Sequence, residues 1–136
     1  AAFYLGAAGV QMGTAFLVAR ECNVHQNYKE KVLKAKDIDT MTTGKRLGHP
    51  VRVLKNPFSR EYAKLEYDSN IADGQLEQFG AGALRRAAVE GDVQNGSFMC
   101  GQIAGMIHEE CTAAEIIDNM MAQTEQILTG GCLWVK

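Results

Sequence analysis

The chain has 136 residues, 46% of them apolar and 22% charged, with a formal net charge of −2. That is enough for one domain with a modest core. It excludes the basic surface that draws nucleic acid or an anionic membrane, and no apolar run approaches the ~20 residues that span a bilayer.

Ala1 to Leu5 reads as the closing turns of a helix stopped by Gly6, the usual residue type at a helix C-terminus. It has no cap or polar lead-in, so the sequence predicts that the numbering opens inside a larger domain. Val10 to Met12 reads as a short buried strand and Phe16 to Ala19 as the helical turn after it. Side chains alternate along a strand, which puts Gln11 and Gly13 on one face. The N–H groups of Gly13, Thr14 and Ala15 would open a helix and lack partners inside it. Such groups suit a phosphate, and the Thr14 hydroxyl adds a donor. A plain strand–helix junction explains the same letters.

Asn27 to Lys36 has helical composition. Ile38 to Thr42 and Val51 to Leu54 read as two extended segments separated by Gly44 and Gly48-His49-Pro50. Pro57 can open a helix at its first position, and "FSREYAKLEYD" continues it. Ile71 to Phe79 is a predicted short helix. Gly80 and Gly82 part it from "ALRRAAVEG", a helix stopped by Gly91, and "DVQNG" is a turn. Ser97 to Glu110 is predicted helical, capped by Ser97. Gly101 and Gly105 would then share one bare face that lets another group approach the backbone. Thr112 and Glu115 have capping-box spacing. They open a helix with an apolar stripe of Ile116, Ile117, Met120, Met121, Ile127 and Leu128, ended by Gly130 and Gly131. "CLWVK" is left as a tail.

The four cysteines, Cys22, Cys100, Cys111 and Cys132, form no C-x-x-C pair. They read as reduced thiols of a cytoplasmic protein, with no metal site. Cys100, in apolar company, is expected to be inert. His25 reads as a cap or surface residue and His49, before Pro50, as part of a turn. Lys45, Arg46, Arg52 and Lys55 form a small basic cluster, read as a solvated face or as a surface for an acidic partner. Arg86 and Glu90 are spaced to pair on a helix. In "FMCGQIAG", Met99 offers a soft apolar wall and Gln102 a polar contact; a glycine-pinched core helix is the plainer reading.

The ordered blocks "GAAGVQMGTAFLVARE", "NYKEKVLKAKDIDT", "GHPVRVLKNP", "GALRRAAVEGDVQNGSFMCGQIAGMI" and "TAAEII" cover nearly the whole chain. In combination they resemble the C-terminal part of the bacterial FMN-dependent enoyl-acyl-carrier-protein reductases of type II, which belong with the nitronate monooxygenases (2-nitropropane dioxygenases). The resemblance implies an α/β fold, the C-terminal fragment of a TIM-barrel flavoprotein. Residues 1–36 would be the end of the barrel, 37–95 a helical and hairpin substrate-covering region, and 96–136 C-terminal helices packing back. It implies FMN and NAD(P)H as cofactors, with Gln11, Gly13 and Thr14 at the flavin phosphate and Met99 and Gln102 lining the substrate pocket. It implies acyl carrier protein as partner and a homodimer of the intact enzyme. The family's catalytic histidine would lie before Ala1, and His25, His49 and His108 do not replace it. After Gly-Thr the reductases usually carry Arg-Phe, whereas this chain has Ala15-Phe16, the form common in nitronate monooxygenases. A nitronate monooxygenase is therefore the second reading, and a non-catalytic helical interaction module the third.

Overall fold

The β-branched runs flanking Gly44 and Gly48 pair as a hairpin. Strands β1 (Thr40–Thr43) and β2 (Val51–Leu54) are antiparallel, with Thr40 opposite Leu54 and Thr43 opposite Val51. In the computed structural model, which describes residues 1–130, the loop between them turns on Gly44 at φ +79°. A Cβ there would sit 2.5 Å from the His49 carbonyl oxygen, so the loop requires glycine twice over.

A lone hairpin is marginal in water. Here a third extended segment joins it. The Leu54 N–H donates to the Phe98 carbonyl at 2.8 Å, the Cys100 N–H donates to the Arg52 carbonyl at 3.1 Å, and Val53 bridges Met99. The helix expected over Ser97 to Glu110 is therefore corrected. Ser97 to Cys100 lies extended along β2, and only Gln102–Met106 coils, as a 3₁₀ turn. A short apolar run suits either state by periodicity, and the unpaired groups of β2 decide it. The expected strand at Val10 to Met12 is also corrected. Those residues are not strand, Val10 is 55% exposed, and no described segment pairs with them. Ala1 to Leu5 closes hydrogen-bonded turns rather than a helix. The Gly6 N–H donates to Phe3 and the Ala7 N–H to Ala2, with Gly6 at φ +86°. That is the Schellman stop of a helix end, built on a single turn.

Six α-helices are present among the described residues, and side chains cap three of them. They are α1 (Thr14–Leu17), α2 (Gln26–Leu33), α3 (Pro57–Tyr67), α4 (Asp73–Gly80), α5 (Ala83–Ala88) and α6 (Ala113–Thr129). His25 caps α2: its Nδ1 accepts from the Asn27 N–H at 3.1 Å. Its ring fills the space where a Cβ at Gly91 would stand. Asn56 and Ser59 form a reciprocal cap on α3, with Pro57 at the first position. Thr112 and Glu115 form the expected capping box on α6. None of α6 is buried, however, and Ile117, Met121, Ile127 and Leu128 of its stripe are exposed. The tail "CLWVK", with Cys132 and the Gly131 stop, lies outside the described residues.

The core draws on residues far apart along the chain. Val18, Tyr28, Val32, Leu54, Ala87 and Phe98 all belong to one buried cluster. Tyr28 is its pivot: the ring tilts against Phe98 at 4.9 Å between centroids, and the hydroxyl donates to the Met99 carbonyl at 2.6 Å. Burial, with the Cys100 thiol nearby, pushes the Tyr28 hydroxyl well above the usual phenol range, so it stays a donor. Lys29, also buried, donates to the Ala19 carbonyl at 2.7 Å and faces Glu110 at 4.0 Å. It fastens α2 to the chain that leaves α1. No helix among the described residues is long and apolar enough to cross a membrane.

Two stability outcomes follow from these contacts. Asn56→Ala removes the α3 cap and the Nδ2 bonds to the Val93 and Gly96 carbonyls. It should lower unfolding free energy by about 2–4 kcal/mol, read as a shifted urea midpoint at constant slope. Tyr28→Phe deletes one buried donor and should cost about 1 kcal/mol by the same measurement.

Candidate functional site

The chain enters α1 through an extended lead-in that ends at Gly13. The φ of Gly13 is −122°, open to any residue, and a Cβ there would meet no atom within 4 Å. Nothing in the packing of the described residues therefore calls for glycine at this bend. The bare backbone faces open space. Among the described residues, the N–H groups of Gly13, Thr14 and Ala15 donate to no acceptor, whereas those of Phe16 and Leu17 bond the Gly13 carbonyl. Three adjacent unpaired amides beside an uncrowded glycine fit the oxygens of a phosphate.

Thr14 has a second task. Its Oγ1 accepts the Gly101 N–H at 2.8 Å, which leaves the hydroxyl proton free to donate. A Cβ at Gly101 would stand 3.4 Å from that oxygen. At Gly105 a Cβ would lie 2.6 Å from the Asp37 nitrogen. The two glycines thus admit close neighbours, as the sequence suggested, but from a 3₁₀ turn rather than one helix face.

Thr14 and the Gly101–Gln102 step are brought together, and Gln11 stays exposed on the lead-in. Met99 and Gln102 part company. Met99 lines a cavity of about 210 Å³ beneath the hairpin. Gln102 is exposed and opens on a groove with Ile103, Met106 and Lys36. Met99 belongs to the extended segment and Gln102 opens the 3₁₀ turn after it, so the single helix that would have carried both is absent. The residue that sequence reasoning missed is Tyr28, whose hydroxyl fixes the Met99 backbone. A tyrosine on the apolar face of a predicted helix was the available signal, because a buried phenol finds a partner.

The basic cluster disperses. Arg46 pairs with Asp73 at 2.8 Å and donates to the Asp68 carbonyl, Arg52 donates to Thr40 Oγ1, and Lys55 donates to the Ile38 carbonyl. These cations bind their own chain instead of forming one open patch. The Arg46 N–H also reaches Glu66 Oε1, while Glu66 Oε2 is buried without a partner among the described residues. Glu90 lies nearer Arg85, at 3.8 Å, than the anticipated Arg86, whose guanidinium donates to the Asn95 and Ala81 carbonyls. Burial pushes the Cys100 thiol up to about 11, in keeping with an inert side chain. No group of three or more His, Cys, Asp or Glu among the described residues is placed to hold a metal ion.

Comparison with known proteins gives this geometry its setting. A model of the nitronate monooxygenase family matches residues 1–123. A probable nitronate monooxygenase of Staphylococcus saprophyticus is 35% identical over 129 residues, which are 94% of this chain and 36% of that protein. A probable nitronate monooxygenase of Staphylococcus aureus is 30% identical over the same shares. The chain thus spans about a third of the length of these relatives. Among solved structures, FabK from Thermotoga maritima is 46% identical with a TM-score of 0.85, over 95% of this chain and 42% of that one. The nitroalkane oxidase of Streptomyces ansochromogenes is 26% identical with a TM-score of 0.73, over 95% and 36%. The α/β fold matches that of the TIM-barrel flavoproteins. With a family model matching along residues 1–123, the chain belongs to the nitronate monooxygenase family, whose members are FMN-dependent oxidoreductases.

Proposed function

We propose that this chain supplies the flavin-phosphate bend and the substrate-covering region of an FMN-dependent, NAD(P)H-consuming reductase of trans-2-enoyl thioesters. The likeness to FabK, an enoyl-acyl-carrier-protein reductase II, carries the reading: 46% identity and a TM-score of 0.85 over 95% of the chain. The nitroalkane oxidase is more distant by both measures.

The residues present fit the cofactor. The Gly13, Thr14 and Ala15 amides and the Thr14 hydroxyl would hold the phosphate end of FMN, where no competing protein acceptor takes them. When bound, FMN supplies the hydride chemistry that couples NAD(P)H oxidation to reduction of the conjugated double bond. The chain's own work is binding and enclosure. Thr14 ties the bend to Gly101, so the segment carrying Met99 and Gln102 is held beside the cofactor's anchor. Met99 offers an apolar wall without acid or base. His25 is occupied as a helix cap, so the proton for the α-carbon comes from outside these residues. Acyl carrier protein is the expected bearer of the thioester.

The second reading, oxidation of alkyl nitronates with dioxygen, is favoured by Ala15-Phe16 after the Gly-Thr pair and by the names of the curated relatives. Both readings place FMN at the same bend and differ in what meets it. The FMN-loaded enzyme should oxidise NAD(P)H in step with loss of crotonyl thioester, with one saturated thioester formed per nucleotide. Consumption of dioxygen with a propyl nitronate, and no turnover of the thioester, would establish the second reading in place of the first.

A further inference from the structure

Among the described residues, Lys29 on α2 is the one Lys or Arg that is buried, at 4% exposure. Taking an ammonium out of water is costly, and an apolar side chain of similar length would fill the same space without that cost. The ion pair does not account for the charge. Glu110 stands 4.0 Å away, and its Oε1 already accepts from the Gln26 amide. The short bond goes to a neutral backbone group instead. Lys29 Nζ donates to the Ala19 carbonyl at 2.7 Å, with the Arg20 carbonyl at 3.4 Å.

Those carbonyls close the stretch that opens at Gly13. Between them lies α1, a single turn of four residues, none of them buried. A turn this short does not hold its own shape in water. Its direction is set by what grips its two ends. At the start, Thr14 Oγ1 accepts the Gly101 N–H. At the exit, Val18 and Ala19 are buried, the Ala19 N–H donates to the Phe16 carbonyl at 3.2 Å, and Lys29 holds the Ala19 carbonyl. A cation is the favoured sign there, because the carbonyl end of a helical turn is its negative end. The unpaired amides of Gly13, Thr14 and Ala15 stand at the other end of the same turn, so their aim follows from this grip.

We propose that Lys29 is a positioning residue for the flavin phosphate. It acts through the Ala19 carbonyl rather than by contact with the cofactor: by fixing the exit of α1 it aims the amides at the opening of α1. The proposal rests on the reading that FMN binds at this bend, and it holds for reductase and monooxygenase alike.

The test titrates the intact enzyme, freed of flavin, with FMN and with riboflavin, in wild type and in Lys29→Met. Methionine keeps an unbranched buried stem and removes the donor. FMN affinity should fall at least about tenfold, the worth of one misaimed charge-assisted hydrogen bond, while riboflavin affinity stays within about twofold. A general loosening of the fold would weaken both flavins alike, and that result overturns the proposal, as does an unchanged FMN affinity. Thermal melting identifies a variant that fails to fold. Lys29→Gln, which keeps a polar head on a side chain one atom shorter, then decides by the same ratio. Wild-type enzyme that binds FMN and riboflavin equally instead overturns the reading of the bend, and the role of Lys29 with it.

Discussion

The bond from the Gly101 N–H to Thr14 Oγ1 joins two segments 87 residues apart. One carries the three unpaired amides, the other the walls proposed for the substrate. The two segments are placed by different means. The lead-in to Gly13 has no strand partner among the described residues, and Ser97 to Cys100 is extended because β2 offers it a ladder. Buried polar groups pair when they can, and this pair fixes the distance between the bend at Gly13 and the segment that follows β2.

Local signals were legible and long-range ones were not. Pro57 behind Asn56 and the Thr112–Glu115 spacing announced α3 and α6, because a cap is written within four residues. The hairpin was legible from its β-branched runs and glycines. Val10 to Met12 and Ser97 to Cys100 were misread in opposite directions for one reason: a strand exists only with a neighbour, and the neighbour is remote in sequence. The stripe on α6 was read correctly as a pattern, but its burial is not realised by the described residues. The basic cluster failed similarly. Lys45, Arg46, Arg52 and Lys55 are close along the chain, yet Asp73, Thr40 and the Ile38 carbonyl take three of the four side chains.

Of the site, the bend was visible because unpaired N–H groups follow from a helix start alone. The separation of Met99 from Gln102 depends on which secondary structure holds them, so it awaited coordinates. Tyr28 shows the same limit. Its hydroxyl anchors the Met99 carbonyl 71 residues away, and no spacing in the sequence encodes that pairing. The family likeness supplied what the letters lacked, namely which small molecule suits such a bend. It does not by itself separate reductase from monooxygenase, because FabK is among the similar structures while the similar curated proteins are named probable nitronate monooxygenases.

The central claim is that the Gly13, Thr14 and Ala15 amides take the phosphate of FMN. Titrating the flavin-free protein with FMN and with riboflavin, which lacks only the phosphate, isolates that grip. The account predicts that FMN binds at least about a hundredfold more tightly, as expected from charge-assisted hydrogen bonds to several donors. Equal affinity for the two flavins would contradict it.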